Sequence, residues 1–518
     1  MFEATHPVGF FDYFRVPYTL QPRAAMTGDA RAPVPVHQLR ATAQPGGMSR
    51  ALFWLGTDAD PAALAASCQL GRYRLRNFTF FGHAAVGAAV PGLLGRLGSG
   101  WHPAEQIFDS AGVPRAAVWR DSDGNVFLPF DPAEVMQRFW SESYQQVGHS
   151  PIALRGRAAA VRGYYLVRPV LPRRLQLRLR RAYTQVQERA SFPDWPAEES
   201  LHNLYRWLFG LLAGLAGQPV PFIGEWPDGR SWALVLTHDV ETDAGYRSLG
   251  LLREPERQLG YRSSWNFVPL RYKVAEETVS NLREEGCEVG VHGLLHDGHD
   301  LGSRRLLAKR LPAMREYADR WQAVGFRSPA TQRKWEWMPA LGFDYDSSYS
   351  DTDPYEPQPG GCCSYLPYFN ESMVELPITM PQDHTLFAIL QNADADVWLR
   401  KAEFLRERQG MALVLTHPDY AVDPRVANGY RSLLSRFHDD RTVWHALPRE
   451  VAAWWRERDS SVIRGGGDGW HIEGPAARSG RIRFGYAGGA ARGRDTADAD
   501  GTRLSAFAAD RTWRADLQ

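Results

Sequence analysis

Between Ile223 and about Arg458, short apolar runs alternate with stretches of helical period, and that alternation limits the folds open to this region. The runs are Trp232–Leu236, Ser264–Val268, Glu288–Val291, Gly325–Arg327, Met373–Leu376, Met411–Leu415 and Thr442–His445. Each is short and nearly continuous, as strands buried on both faces are. Between them, Val274–Glu285, Arg304–Val324, Asp394–Arg408 and Pro424–Arg436 carry helical spacing. The pattern predicts an α/β fold of about seven parallel strands joined by right-handed crossovers. A barrel and an open doubly wound sheet both satisfy it.

At 518 residues the chain is too long for one ordinary core. Residues 1–225 are heterogeneous and read as a mixed α+β accessory domain. Its strand-like runs include Ala51–Leu55 and Phe78–Phe81, and its helical stretches include Pro132–Tyr144, with Asp131 as cap, and Leu201–Leu215. Residues 226–458 form the alternating domain. Residues 459–518, rich in Gly, Ala, Arg and Asp, lack an apolar period and are expected to be mostly disordered. The formal net charge is +1, so no general field would gather nucleic acid or an anionic membrane surface. The basic stretch Leu171–Arg189 therefore reads as a solvated face rather than a nucleic-acid patch. Cys68, Cys287, Cys362 and Cys363 show no CxxC spacing and argue against a disulfide framework. The amino terminus has neither a basic nor an apolar leader region, and the best membrane candidate, Trp207–Val220, falls short of a span. These readings point to a cytoplasmic protein without a transmembrane segment.

The chemistry gathers at strand ends. The run Ser231–Leu236 leads directly into Thr237-His-Asp-Val-Glu241, delivering Asp239 and Glu241 where a parallel strand would emerge at its carboxyl end. α/β enzymes place their reactive groups there. His292-Gly-Leu-Leu-His296 follows the run Cys287–Val291 in the same way. Two imidazoles, a carboxylate and a second carboxylate nearby are the parts of a catalytic metal site with an open position. A zincin helix is excluded, because Gly293 stands where its glutamate belongs. His238, His299, His384 and His445 read as structural or peripheral.

These motifs resemble, in order, those of the polysaccharide deacetylase family, the NodB-like metal-dependent carbohydrate esterases. Leu236–Glu241 looks like the first motif, which supplies a general base and a metal-binding carboxylate. His292–His296 looks like the second, the pair of histidine ligands, and Phe326-Arg-Ser-Pro329 like the third, whose arginine orients the base. Gly342–Ser348 resembles the segment that follows, and Leu415-Thr-His-Pro418 the last motif, whose histidine is the general acid. The resemblance covers roughly residues 228–456 and implies a distorted (β/α) barrel with fewer than eight regular strands. It implies Asp239 as base, Glu241, His292 and His296 as metal ligands, Arg327 as the group orienting the base, and His417 as acid. Residues two apart on a strand share a side, so Asp239 and Glu241 can face one centre, and their roles remain open to exchange.

Three features depart from the commonest family pattern. The second carboxylate is a glutamate in a D-x-E arrangement, Gly293 replaces the usual Ser or Thr, and an aromatic, proline-rich loop runs from Tyr349 to Phe369. The implied activity is removal of acetyl groups from N-acetylated sugars of a polysaccharide or its precursor, such as an exopolysaccharide, by a hydrolase carrying one divalent metal ion. Zinc is the default, with cobalt or nickel also suited to such a ligand set. The implied partner is an acetylated sugar or oligosaccharide; oligomeric state is not encoded. The alternatives are a non-catalytic carbohydrate-binding protein on the same fold, an O-acetyl esterase, or a non-sugar amide hydrolase.

Overall fold

The structure, a computed structural model, describes residues 2–21, 34–42, 49–148, 181, 184, 187, 192–356, 358–466 and 469–487. The alternating region forms a mixed α/β unit around one large curved sheet. Its strands, in chain order, are β1 (Trp232–Val240), β2 (Ser264–Phe267), β3 (Glu288–Val291), β4 (Gly325–Phe326), β5 (Tyr345–Asp346), β6 (Tyr368–Asn370), β7 (Met373–Glu375), β8 (Met411–Thr416) and β9 (Val443–Ala446). The spatial order is β6-β7-β5-β4-β3-β2-β1-β8, with β9 beside the first half of β1. All neighbours run parallel except β6 with β7. Helices Gly250–Leu259, Glu276–Glu284, Arg304–Trp321, Asp396–Glu407, Pro424–Phe437 and Pro448–Asp459 fill the connections.

Two expectations change here. The sheet has nine strands rather than about seven, because the loop ahead of β7 returns as β6 and the short segment Tyr345–Asp346 also pairs. Among the described residues, β7 and β8 share no continuous ladder. The chain after β7 instead reaches β8 through isolated bonds: Met380 N–H to Leu413 O, Leu413 N–H to Thr379 Oγ1, and Thr379 Oγ1–H to Met411 O. Strand β1 also runs further than its apolar run, through Thr237 to Val240, with every residue buried. Thr237 to Val240 are therefore part of the strand, and Glu241 follows directly after it. Pairing with β2 from Thr237 to Val240 satisfies their backbone groups.

The amino-terminal residues build a second nine-stranded sheet, largely antiparallel, which includes Phe2–Ala4, Val36–Ala41, Arg50–Leu55 and Phe78–Ala85. Asp131 caps helix Pro132–Trp140 through Ala133 N, as its sequence suggests. Helix Ser200–Ala216 carries an almost wholly apolar surface that is buried against both this sheet and the rest of the molecule. No helix among the described residues is long and apolar enough to cross a membrane. The core runs continuously from one sheet to the other, through Phe10, Phe14, Tyr205, Phe209 and Phe222.

The region expected to be disordered from residue 459 is instead folded over 459–466 and 469–487. Val462–Gly466 pairs with Gly469–Glu473 as a hairpin, and Ile482–Gly485 pairs with Val220–Ile223. Within the hairpin Ile463 is buried and Trp470 and Ile472 are half-buried, a brief apolar signal in this Gly-rich composition. Residues 488–518 and most of the basic stretch Leu171–Arg189 lie outside the described residues.

Candidate metal and catalytic centre

The carboxyl ends of β1, β3 and β8 and the turn after β4 converge on one group of polar side chains. Alternation along β1 points Thr237 and Asp239 to one side and His238 to the other. Glu241 follows two residues later on the side of Asp239. Immediately after β3, His292 and His296 come from a tight loop, their ring centroids 5.1 Å apart. One ligand atom from each of Glu241, His292 and His296 lies within 4.8 Å of the others. His296 Nε2 is 3.0 Å from Glu241 Oε1, and His292 Nε2 is 3.7 Å from Asp239 Oδ2.

The loop explains one departure from the family pattern. Gly293 has φ +63°, and a Cβ there would lie 2.4 Å from Asp300 Oδ2 and 2.5 Å from Pro329 Cγ. The position therefore suits glycine on both conformational and steric grounds. Asp300 in turn accepts from Leu294 N–H and from Arg310, bracing the loop.

The imidazole nitrogens are set up for coordination. His292 Nδ1–H donates to the backbone carbonyl of Arg327 at 3.1 Å, which leaves Nε2 as the bare nitrogen aimed at Glu241 and His296. The Nε2 atoms of both histidines are buried and make no hydrogen bond of acceptable geometry. Burial pushes the His292 imidazole down to about 4 against the opposing pull of Asp239, so it is neutral at neutral pH. Burial works against the charge of Glu241, but His296, His417 and His292 hold its carboxyl well below the usual range. Two orphaned buried nitrogens beside a carboxylate held ionised fit a divalent cation.

Asp239 is buried and held on one side. Its Oδ1 accepts from Asn266 Nδ2 at 2.8 Å and faces Arg327 Nη1 at 3.5 Å. Arg327 is itself fixed at every nitrogen: Nε donates to Ser347 O, Nη2 to Ser347 Oγ, and Nη1 to Thr237 Oγ1. Burial opposes ionisation of Asp239, yet His292, Arg327, His417 and the Asn266 amide bring its carboxyl below the usual value. Its Oδ2 is the oxygen near His292 Nε2.

His417 Nε2 lies 3.9 Å from Glu241 Oε1. Its Nδ1 is 2.6 Å from Asp383 Oδ1, and its backbone N–H donates to Asp383 Oδ2 at 2.7 Å. Burial disfavours the imidazolium, but Asp383 and the carboxylates of Glu241 and Asp239 push it up to about 10.

All six sequence-predicted residues thus meet: Asp239, Glu241, His292, His296, Arg327 and His417. His238 turns away, its nitrogens on Thr416 Oγ1 and Glu256 Oε1, in keeping with a structural role. The supporting residues Asp383, Asn266 and Asp419 went unnoticed in the sequence. Asp419 accepts from Glu241 N–H at 3.1 Å and from the Thr242 hydroxyl. No periodicity or spacing singles out these three, which reach the centre from separate loops and from β2. The aromatic loop Tyr349–Phe369 does not stand free at the rim. It packs against the amino-terminal region, where Tyr144 Oη–H donates to Gly361 O at 2.8 Å and Gln145 Nε2–H to Pro359 O at 3.1 Å.

No family model matches the sequence, and no curated protein matches it. Among solved structures, the chain is similar to a Mycobacterium smegmatis protein assigned as a polysaccharide deacetylase, at 19% identity and TM-score 0.38, covering 45% of this chain and 93% of that one. It is similar to the allantoinase PuuE at 13% identity and TM-score 0.38, covering 51% and 98%. A family 4 carbohydrate esterase from Streptomyces lividans matches at 12% identity and TM-score 0.27, covering 40% and 91%. At these identities and scores the likenesses add nothing to the site, whose reading rests on the side chains above.

Proposed function

We propose that this protein is a metal-dependent hydrolase that removes the acetyl group from an N-acetylated sugar of a polysaccharide or its precursor. The observation that carries the reading is the convergence of Glu241, His292 and His296 within 4.8 Å, flanked by Asp239 and His417. Glu241, His292 and His296 would hold one divalent cation, zinc by default; when bound, it polarises the acetyl carbonyl and acidifies water.

The chain's own residues supply the proton transfers. Asp239, anchored through Oδ1, presents Oδ2 as the acceptor for the proton of the attacking water. Arg327 and Asn266 keep that carboxylate ionised and aimed, a task for charged and directional hydrogen bonds. His417, protonated at neutral pH and locked by Asp383, presents Nε2–H to the departing nitrogen. A base and an acid beside one ligand set suit amide hydrolysis, in which a poor leaving group needs protonation. A purely binding descendant has no need of either, and this argues against the non-catalytic alternative.

The test is metal content and acetate release from N- and O-acetylated oligosaccharides. Asp239→Asn is expected to keep metal and lose about 10²–10⁴-fold in turnover, the usual contribution of a general base. His292→Ala should lose both metal and turnover. Full activity after replacing His292 overturns the assignment; release from O-acetylated substrates alone makes the protein an esterase.

A further inference from the structure

A second cluster of metal-ligating side chains lies on the amino-terminal sheet, away from the strands of the proposed catalytic centre. Phe2–Ala4 pairs antiparallel with Val36–Ala41, with Ala4 opposite Leu39. The pairing continues past the strand end, since Thr5 N–H donates to Gln38 O and Gln38 N–H donates to Thr5 Oγ1. Carried on, that register sets His6 against His37, and their rings stack at 3.9 Å with 16° between planes. On the other side His37 pairs with Trp54 of Arg50–Leu55. The turn after that strand brings Asp58 Oδ1 to 3.1 Å from His37 Nε2. One ligand atom from each of His6, His37 and Asp58 lies within 4.8 Å of the others.

The backbone leaves these atoms room. Gly56 passes directly beneath them, and a Cβ there would meet His37 Nε2 at 2.4 Å and Asp58 Oδ1 at 2.8 Å. His37 is buried, His6 half-buried and Asp58 exposed, so the cluster has a rigid floor and a solvent-facing rim. Two imidazoles and one carboxylate select a borderline transition ion over calcium or magnesium, which prefer all-oxygen shells. Ligand atoms already within 4.8 Å of one another would supply a three-donor face, with water for the remaining positions.

We propose that His6, His37 and Asp58 form a second divalent transition-metal site, of zinc type, which ties the amino-terminal strand to the turn at 56–58. It is independent of the catalytic reading.

The experiment strips the full chain with chelator, reloads it with Zn²⁺ or Co²⁺, and measures bound metal after dialysis. Wild type is expected to hold two equivalents, and His37→Gln and His292→Ala one each. Asp58→Asn, an exposed change that spares the sheet, should weaken the amino-terminal equivalent at least tenfold without altering circular dichroism. His6→Gln should do the same. A single equivalent that vanishes with His292→Ala and is untouched by His37→Gln and Asp58→Asn overturns the proposal. A single equivalent that vanishes with Asp58→Asn but survives His292→Ala supports it and refutes the catalytic reading instead.

Discussion

At the scale of single residues, the centre depends on which oxygen or nitrogen each partner occupies. Asp239 has one oxygen consumed by Asn266 and Arg327, so its second oxygen is the reactive one. His417 shows the same division of labour: Asp383 holds Nδ1 and the backbone N–H, leaving Nε2 for substrate. Asp383 also raises the imidazolium, as any close carboxylate does. Replacing it by Asn removes that attraction and lowers the His417 pKa. The acid form then disappears at lower pH, so the alkaline limb of the kcat/KM profile of Asp383→Asn should shift to lower pH. An alkaline limb at the wild-type position would show that Asp383 does not control the acid.

At the scale of elements, the strands bring the groups to one level and the turns aim them. The left-handed conformation of Gly293 lets the loop after β3 fold back sharply enough to present both histidines. Gly293→Ala is expected to cost about 1–3 kcal/mol from the backbone conformation alone, with more from the contact with Asp300 and Pro329. Chemical denaturation of the metal-free protein measures it. Strand β3 also carries Glu288, a fully buried carboxyl that accepts from Tyr345 Oη–H and Arg449 N–H. Burial pushes it up to about 7. A carboxyl raised in the folded state binds its proton more tightly there than in the unfolded chain. Its contribution is therefore full below about pH 4.5 and is lost as pH rises through 7. Glu288→Gln, which cannot ionise, should remove that loss. Relative to wild type it gains up to about 3 kcal/mol between pH 4.5 and 8, readable as unfolding midpoints across that range. A constant difference between the two proteins would show that Glu288 does not titrate there.

At the scale of the whole molecule, the two sheets share one apolar core and are also joined by a buried ion pair. Arg333, in the segment after β4, reaches Glu142 with Nη2 at 2.6 Å and Nε at 2.9 Å, both side chains nearly inaccessible. Removing one member leaves the other charge buried, so Arg333→Met should destabilise by about 3–5 kcal/mol. Adding Glu142→Leu should recover much of the loss, because no orphan charge remains. Thermal melts of the two variants check this; equal damage in both would mean that packing, not charge, governs the contact. The same interface binds the aromatic loop 349–369 to the amino-terminal region, an arrangement that loop composition alone did not suggest.

Much of this was legible in the chain. The parallel direction of the strands follows from period and alternation, because strands buried on both faces must be apolar and crossovers need helices of a certain length; their order in the sheet does not. Asp239, Glu241, His292 and His296 could be named because each sits at the end of such a strand or just beyond it, where local sequence and tertiary position coincide; Arg327 and His417 were implied by the resemblance of their motifs. The same logic misjudged residues 459–487. Ile482–Gly485 is ordered by a partner strand at 220–223, more than two hundred positions away, and no local pattern records that pairing. Asp383 bonds His417 across 34 residues and Asn266 bonds Asp239 across 27, through loop and strand positions that look like any other polar residue. The sequence alone determined which groups could do chemistry, since side-chain identity and strand period are local properties. Only the tertiary structure decided which oxygen of Asp239 is free, which nitrogen of each histidine is bare, and how the two sheets lock together, because those depend on contacts between segments remote in the chain.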